Sequence, residues 1–286
     1  MKKEALKVAI QGVAGCFHDA AAREFFADRD IETIEFDSFD DEFDALHSDR
    51  SLVGLAAIEN TIAGSILTNH ELLRKGGVRI VGEHRKRISH VLCALPGQTI
   101  DDITEINSHP MALMQCDEWL RQYPGIKKVE RFDTAGSARD IAKDRLVGHA
   151  AICGEYAAGL YGLNILARGI ETNKRNFTRF LVVANPQVAD SISPGVRSID
   201  KASLVFTLPH TKGALSKVLT ILSFYDMNLS KIQSTPIIGR EWEYRFYVDL
   251  TFDDPVRYRQ SLEAIRPLIT DLAVLGEYCE SKTESL

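Results

Sequence analysis

The residues able to do chemistry lie where apolar runs give way to polar turns. Asn176-Phe177-Thr178-Arg179-Phe180 places a hydroxyl beside a guanidinium at the start of an apolar run. A guanidinium forks onto a carboxylate, and a hydroxyl can donate to a departing oxygen. Four further junctions are Gly12-Val13-Ala14-Gly15, Glu59-Asn60-Thr61 with Gly64 and Ser65, Ser108-His109-Pro110, and Asp133-Thr134-Ala135. Each precedes a helical pattern, and a helix N-terminus with unpaired N–H groups favours a carboxylate or phosphate. The ligand implied is a small anion. Ser108, Asp133 and Thr134 are equally the residue types that cap helices with no ligand present, and Thr178 with Arg179 could be a surface hydroxyl and an ion pair.

Other chemistries are poorly provided for. Gly12 and Gly15 are too few for a dinucleotide fingerprint, and no P-loop occurs. No Ser/His/Asp order, paired carboxylates or His-x-x-x-His helix points to hydrolysis or a metal, and His18, His90 and His109 read as capping or core residues. Cys16, Cys93, Cys116, Cys153 and Cys279 are odd in number and scattered, which fits reduced thiols rather than a zinc site or a disulfide framework. A net charge of -6 with no dense Lys/Arg block argues against a nucleic-acid footprint. No run approaches the roughly 18 apolar residues of a spanning helix. Glu4, Lys7 and Gln11 interrupt the start before it reaches signal length. A cytoplasmic protein with no membrane partner is expected.

These junctions need a scaffold, and 286 residues, 45% of them apolar, suffice for two cores. Residues 6–10, 54–58, 79–81, 89–94, 129–132, 150–152 and 179–184 read as strands, and 20–26, 66–73, 111–120 and 135–143 as helices. This is a β-α rhythm, which predicts a mainly parallel sheet with ligands at the carboxyl ends of its strands. Periodicity fails over 186–200, where Pro186, Ser191, Ser193, Pro194 and Gly195 accumulate as in a linker. Residues 202–208, 215–224, 229–236, 244–252, 258–269 and 273–278 then read as strand, helix, strand, strand, helix, strand, the ferredoxin-like βαββαβ order.

At these residues the chain resembles the prephenate dehydratase family. Gly12-Val13-Ala14-Gly15-Cys16-Phe17-His18 is similar to its glycine loop, Ile58-Glu59-Asn60-Thr61 with Gly64 to its Ile-Glu-Asn segment, and Ser108-His109-Pro110 with Gln115-Cys116 to its Ser-His-Pro segment. Asp133-Thr134-Ala135 and Thr178-Arg179-Phe180 complete the ordered set. Val13, Cys16 and Met111 depart from the usual Pro, Thr or Ser, and Gln.

The resemblance implies a two-lobed periplasmic-binding-protein-like (type II) α/β catalytic domain over 1–185, with lobes of about 1–75 plus 165–185 and of 76–164. A linker over 186–200 and an α+β ACT domain over 201–286 would follow. The implied reaction is loss of water and carbon dioxide from prephenate to give phenylpyruvate, without a cofactor. Thr178 would act at the leaving hydroxyl, and Asn60, Ser108 and Gln115 at substrate and transition state, with Glu59, Thr61, Thr134, Arg179 and Phe180 as further contacts. Gly213, Ala214, Leu215, Asn228, Leu229 and Ser234 would bind L-phenylalanine as effector, in a homodimer or homotetramer. Gln233-Ser234-Thr235-Pro236 stands where the family has Glu-Ser-Arg-Pro, so both charges are lost. Arogenate dehydratase and a silent small-anion sensor are the alternatives.

Overall fold

Short branched runs become strands, and apolar residues three and four apart become helices. The structure is a computed structural model and describes residues 5–192 and 199–281. From the N-terminus come β1 (Leu6–Gln11), α1 (Phe17–Phe25), β2 (Ile31–Phe36), α2 (Phe39–Ser48), β3 (Val53–Asn60), β4 (Gly64–Ser65) and α3 (Leu67–Lys75). Next are β5 (Arg79–Arg87), β6 (Val91–Ala94), β7 (Glu105–Ser108), α4 (Pro110–Gln115), α5 (Asp117–Leu120) and β8 (Lys127–Glu130). They are followed by α6 (Thr134–Asp144), β9 (His149–Cys153), α7 (Glu155–Leu160), β10 (Asn164–Arg168), β11 (Phe177–Ala184) and α8 (Ala189–Ile192). The remainder is β12 (Lys201–Thr207), α9 (Ala214–Phe224), β13 (Asn228–Pro236), β14 (Tyr244–Thr251), α10 (Pro255–Ile265) and β15 (Thr270–Tyr278).

Two compact units form. The first holds the described residues up to Glu42, Leu55–Gly64 and Arg85–Phe180; the second holds Phe43–Gly54, Ser65–His84 and the described residues from Leu181 onward. Within the first, strand segments run in the order β5-β11-β3-β1-β2, and a second sheet has the order β10-β6-β9-β7-β8. β1 pairs parallel with β2, Leu6 opposite Ile31. Val8, Ala9 and Ile10 of β1 are wholly buried, and the small Ala20, Ala21 and Ala22 let α1 pack closely. The second sheet buries Leu92, Ile106 and Ile152 against Leu113 of α4.

The expectation of a mainly parallel arrangement is corrected in that second sheet. β7 runs parallel to β8 and β9, but β6 is antiparallel to β9 and to β10. β6 follows β5 without an intervening helix, so no right-handed βαβ crossover sets its direction. The helix expected over 111–120 is two short ones, α4 and α5, divided at Cys116 with φ -104. Sequence reading passed over β2, α2, α7 and β10. The stretch 186–200 is only partly without structure, since Ser191 lies in α8, while Ser193, Pro194 and Gly195 lie outside the described residues.

In the second unit, residues 201–278 form the βαββαβ arrangement expected, in the antiparallel order β13-β14-β12-β15. Phe206, Val248, Leu250 and Tyr258 meet Val218 and Leu222 of α9 in its core. Truncating a fully buried aromatic such as Phe206 to Ala would cost roughly 3–5 kcal/mol. β15 pairs with β5 where Gly276 faces Ile80, a position at which any Cβ would overlap the Ile80 carbonyl. Beside this contact the ammonium of Lys201, 0% exposed, lies 3.0 Å from Glu83 and 3.3 Å from Glu280.

Candidate active site

The glycine loop is built from within. Gly12 and Gly15 have φ of 108 and 86, open to glycine at little cost. A Cβ on Gly12 would also stand 3.3 Å from Asp133 Oδ2, so the loop and the N-terminus of α6 are in close approach. The loop amides were expected to await an anion. Instead Gly12 N donates to the Phe36 carbonyl, Ala14 N to Glu35 at 2.7 Å, Gly15 N to Asp19 at 2.8 Å and Cys16 N to the Val13 carbonyl. Tyr161 donates its hydroxyl to the Ala14 carbonyl. Cys16, in the hydroxyl position of the family pattern, caps α1: its sulfur accepts from Asp19 N. Burial pushes that thiol up to about 12.

Two more junctions are capped at their helix starts, whereas α3 begins after Ile66 with no side-chain cap. Asp133 accepts from Gly136 N at 2.7 Å, and burial raises its carboxyl while the Gly136 and Ala135 amides pull it back in part. His109, not Ser108, caps α4 by accepting from Met111 N. Asn60 Oδ1 accepts from Ile62 N and Ala63 N, both at 2.9 Å. At the Gly12–Gly15, Ser108-His109 and Asp133-Thr134 junctions the leading amides are already partnered, which leaves side-chain donors as the groups free to meet an anion.

Those donors meet in one chain of amides. Asn60 Nδ2 donates to Asn176 Oδ1 at 2.8 Å, to Thr178 Oγ1 at 3.0 Å and to the Phe177 carbonyl at 3.2 Å. Asn176 Nδ2 donates to Gln115 Oε1 at 3.1 Å, and His90 Nε2 lies 2.9 Å from the same oxygen. Thr178 Oγ1 accepts from Asn60 on one of its two lone pairs and keeps its proton for another acceptor, and Gln115 keeps its NH2. Such neutral donors can bind carboxylates and stabilise a departing oxygen without transferring a proton in the ground state.

The structure thus joins three of the four expected catalytic residues, Asn60, Gln115 and Thr178. Asn60 has spent both amide hydrogens inside the protein, on Asn176, Phe177 and Thr178. Ser108 stands apart from them, wholly buried, with its hydroxyl donated to the Ile152 carbonyl at 2.6 Å. Thr61 ties its loop to β11, accepting from Phe177 N and donating to the Arg175 carbonyl. Arg179 is 8% exposed, and Glu59 and Thr134 are partly exposed at the end of β3 and the start of α6. Phe180, expected as a substrate contact, is 1% exposed and packs edge-on against His18 at 5.0 Å, a core position. Sequence reading gave Asn176 no role as a hub; His90, read as a capping or core residue, is indeed buried and in addition lies against Gln115. The signal available was the amide two positions before Thr178.

In the βαββαβ module, Gly213 (φ 75) opens α9, and Ala214 and Leu215 pack on the module core together with Leu229. Asn228 donates to Thr251 across the β13–β14 pair, Ser234 faces solvent, and Gln233 turns back on the Ser234 carbonyl. No described helix is long and apolar enough to cross a membrane.

A family model described as prephenate dehydratase matches residues 8–188. The chain is 36% identical to arogenate dehydratase/prephenate dehydratase 2, chloroplastic, of Arabidopsis thaliana, over 96% of this chain and 72% of that protein. It resembles a solved prephenate dehydratase from Arthrobacter aurescens in complex with L-Phe, with TM-score 0.82, 28% identity, and coverage of 96% of this chain and 90% of that one. A solved structure described as a quorum quenching acylase is similar at TM-score 0.83 and 29% identity, over 96% of this chain and 98% of that one.

Proposed function

We propose that this chain, which belongs to the prephenate dehydratase family and is an enzyme of the dehydratase class, converts prephenate to phenylpyruvate. In that reaction the bond from the ring to its carboxylate breaks, releasing carbon dioxide. Its electron pair enters the ring, and the ring C–O bond breaks at the opposite carbon. The hydroxide leaves as water with uptake of one proton, and aromatisation supplies the driving force. What remains for the protein is to hold two carboxylates and to hydrogen-bond the departing oxygen.

The observation that carries this reading is the Thr178 hydroxyl, oriented by the Asn60 amide and left with its proton. Gln115 NH2 and Arg179 are the proposed carboxylate contacts, and Glu59, Thr61 and Thr134 are further candidate contacts, whereas Ser108 is committed to the Ile152 carbonyl. Acyl transfer, the activity named for one structural neighbour, is less well supported: neither Ser108 nor Thr178 is hydrogen-bonded to a histidine. Arogenate, which carries an amino group in place of the side-chain keto group, is a second substrate reading, favoured by the name of the Arabidopsis relative. Assay of the purified protein with each substrate, following phenylpyruvate and phenylalanine, decides between them. Absence of both products would overturn the enzyme reading.

The catalytic part is proposed as a two-lobed type II binding-protein fold, and the βαββαβ module as an ACT domain that binds L-phenylalanine in a cytoplasmic homo-oligomer. The complex of the Arthrobacter relative with L-Phe and the Gly213 turn support this. Inhibition and a heat of binding at millimolar L-phenylalanine are expected. Neither would appear if the module serves assembly alone.

A further inference from the structure

We propose that Asn176 and His90 are positioning residues that lock the Gln115 amide with its NH2 turned toward substrate. This rests on the dehydratase reading above. An amide's oxygen and nitrogen are nearly the same size, so only its partners decide which end points where. Here the direction can be followed from a fixed origin. Ile62 N and Ala63 N are backbone groups that can only donate, so the Asn60 atom they reach is its oxygen. Asn60 must then offer its NH2 to Asn176, whose facing atom is the oxygen. Asn176 in turn offers its NH2 to Gln115, whose facing atom is again the oxygen.

His90 closes the other end. Its backbone N donates to Glu171 at 2.9 Å, its ring meets Phe17 edge-on at 5.5 Å, and the residue is 2% exposed. Nδ1 is buried without a hydrogen-bond partner, and burial lowers the ring's affinity for a proton. The ring is the neutral Nε2–H tautomer and donates to the Gln115 oxygen from the second side. Two donors on one oxygen leave the Gln115 NH2 a single direction, away from both. A carboxylate requires that polarity, because a carbonyl turned outward would repel it. Asn176 is itself 0% exposed, with its backbone carbonyl held by Ile88 N at 2.8 Å, so it acts through Gln115 and not on substrate.

The test compares four variants with the wild-type chain by steady-state kinetics and thermal melting. Asn176→Asp keeps shape but turns the donor into an acceptor and should flip Gln115. Asn176→Ala only removes the donor. Asn176→Asp should lose about tenfold more kcat/KM than Asn176→Ala, the size of one unsatisfied buried polar group. His90→Gln retains a donor and should keep activity near wild type, whereas His90→Phe should lose about tenfold. A packing role alone predicts the reverse at Asn176, with Ala the worse because it leaves a cavity, and activities that follow melting temperature. Asn176→Asp milder than Asn176→Ala, or His90→Phe equal to His90→Gln, overturns the proposal. Should Asn176→Asp not fold, the His90 pair decides alone. A wild-type chain inactive on both substrates would instead overturn the dehydratase reading.

Discussion

The side-chain amide of Asn60 donates to the hydroxyl of Thr178 at 3.0 Å across 118 positions of sequence. That contact takes up one of the oxygen's two lone pairs and leaves its proton directed elsewhere. Thr178→Ala should lower kcat by about a hundredfold with little change in KM, because the lost interaction matters chiefly in the transition state. Thr178→Ser should retain most of the rate. Steady-state kinetics checks both, and an unchanged kcat in the Ala variant removes Thr178 from the mechanism.

Glu42 is wholly buried on α2, and its carboxyl oxygens form no well-aligned hydrogen bond, with only the backbone of Leu55 and Gln11 close by. Burial raises its folded pKa well above the usual range, and the backbone of Leu55 and Gln11 offsets this only in part. The unfolded chain therefore ionises first, and the carboxyl destabilises the fold progressively as pH rises above about 4.5. Glu42→Gln should stabilise by roughly 1–3 kcal/mol at neutral pH and by almost nothing at pH 4. Urea melts at the two pH values measure it; equal effects would show that Glu42 is not the titrating group.

Lys201 and Glu83 form an ion pair with both side chains out of water. Lys201→Met strands the Glu83 charge and should cost roughly 3–5 kcal/mol. Adding Glu83→Gln to it should recover much of that loss, since the second change removes the unpaired charge. Denaturant unfolding of the single and double variants gives the comparison, and additive losses would mean that the pair is not coupled.

Cys16 acts as a helix cap. With its thiol held at about 12, thiol reagents at pH 8 should leave it unmodified in the folded protein and label it on unfolding. Cys16→Ser should preserve the cap, and Cys16→Ala should lose about 1 kcal/mol. Mass spectrometry after alkylation and thermal melts of the two variants provide the readout.

Much of the fold was legible because burial wrote it into local periodicity. The apolar alternation and the Gly213 turn announced the βαββαβ module to within a few residues at most of its boundaries, since its strands bury one face on two helices. The sheet around β6 was not legible, because strand direction depends on crossovers that apolar runs do not encode. Of the side-chain cluster, Thr178, Asn60 and Gln115 were singled out through motifs. Asn176 was passed over because an asparagine's role depends on what its two ends meet, and its partners at 60 and 115 are remote in sequence. Ser108 and Asp133 look like capping residues on paper, yet only Asp133 caps.

The glycine loop holds its shape with its own donors already satisfied by Glu35, Asp19 and the Phe36 carbonyl. If the proposed substrate docks there, it would meet a floor ordered beforehand, so little conformational entropy would be lost in fixing it, and affinity from contacts elsewhere would not be spent on ordering the loop. Drift at Glu35 or Asp19 would surface first as weaker, more entropically opposed binding, with the chemical step unchanged once substrate is in place.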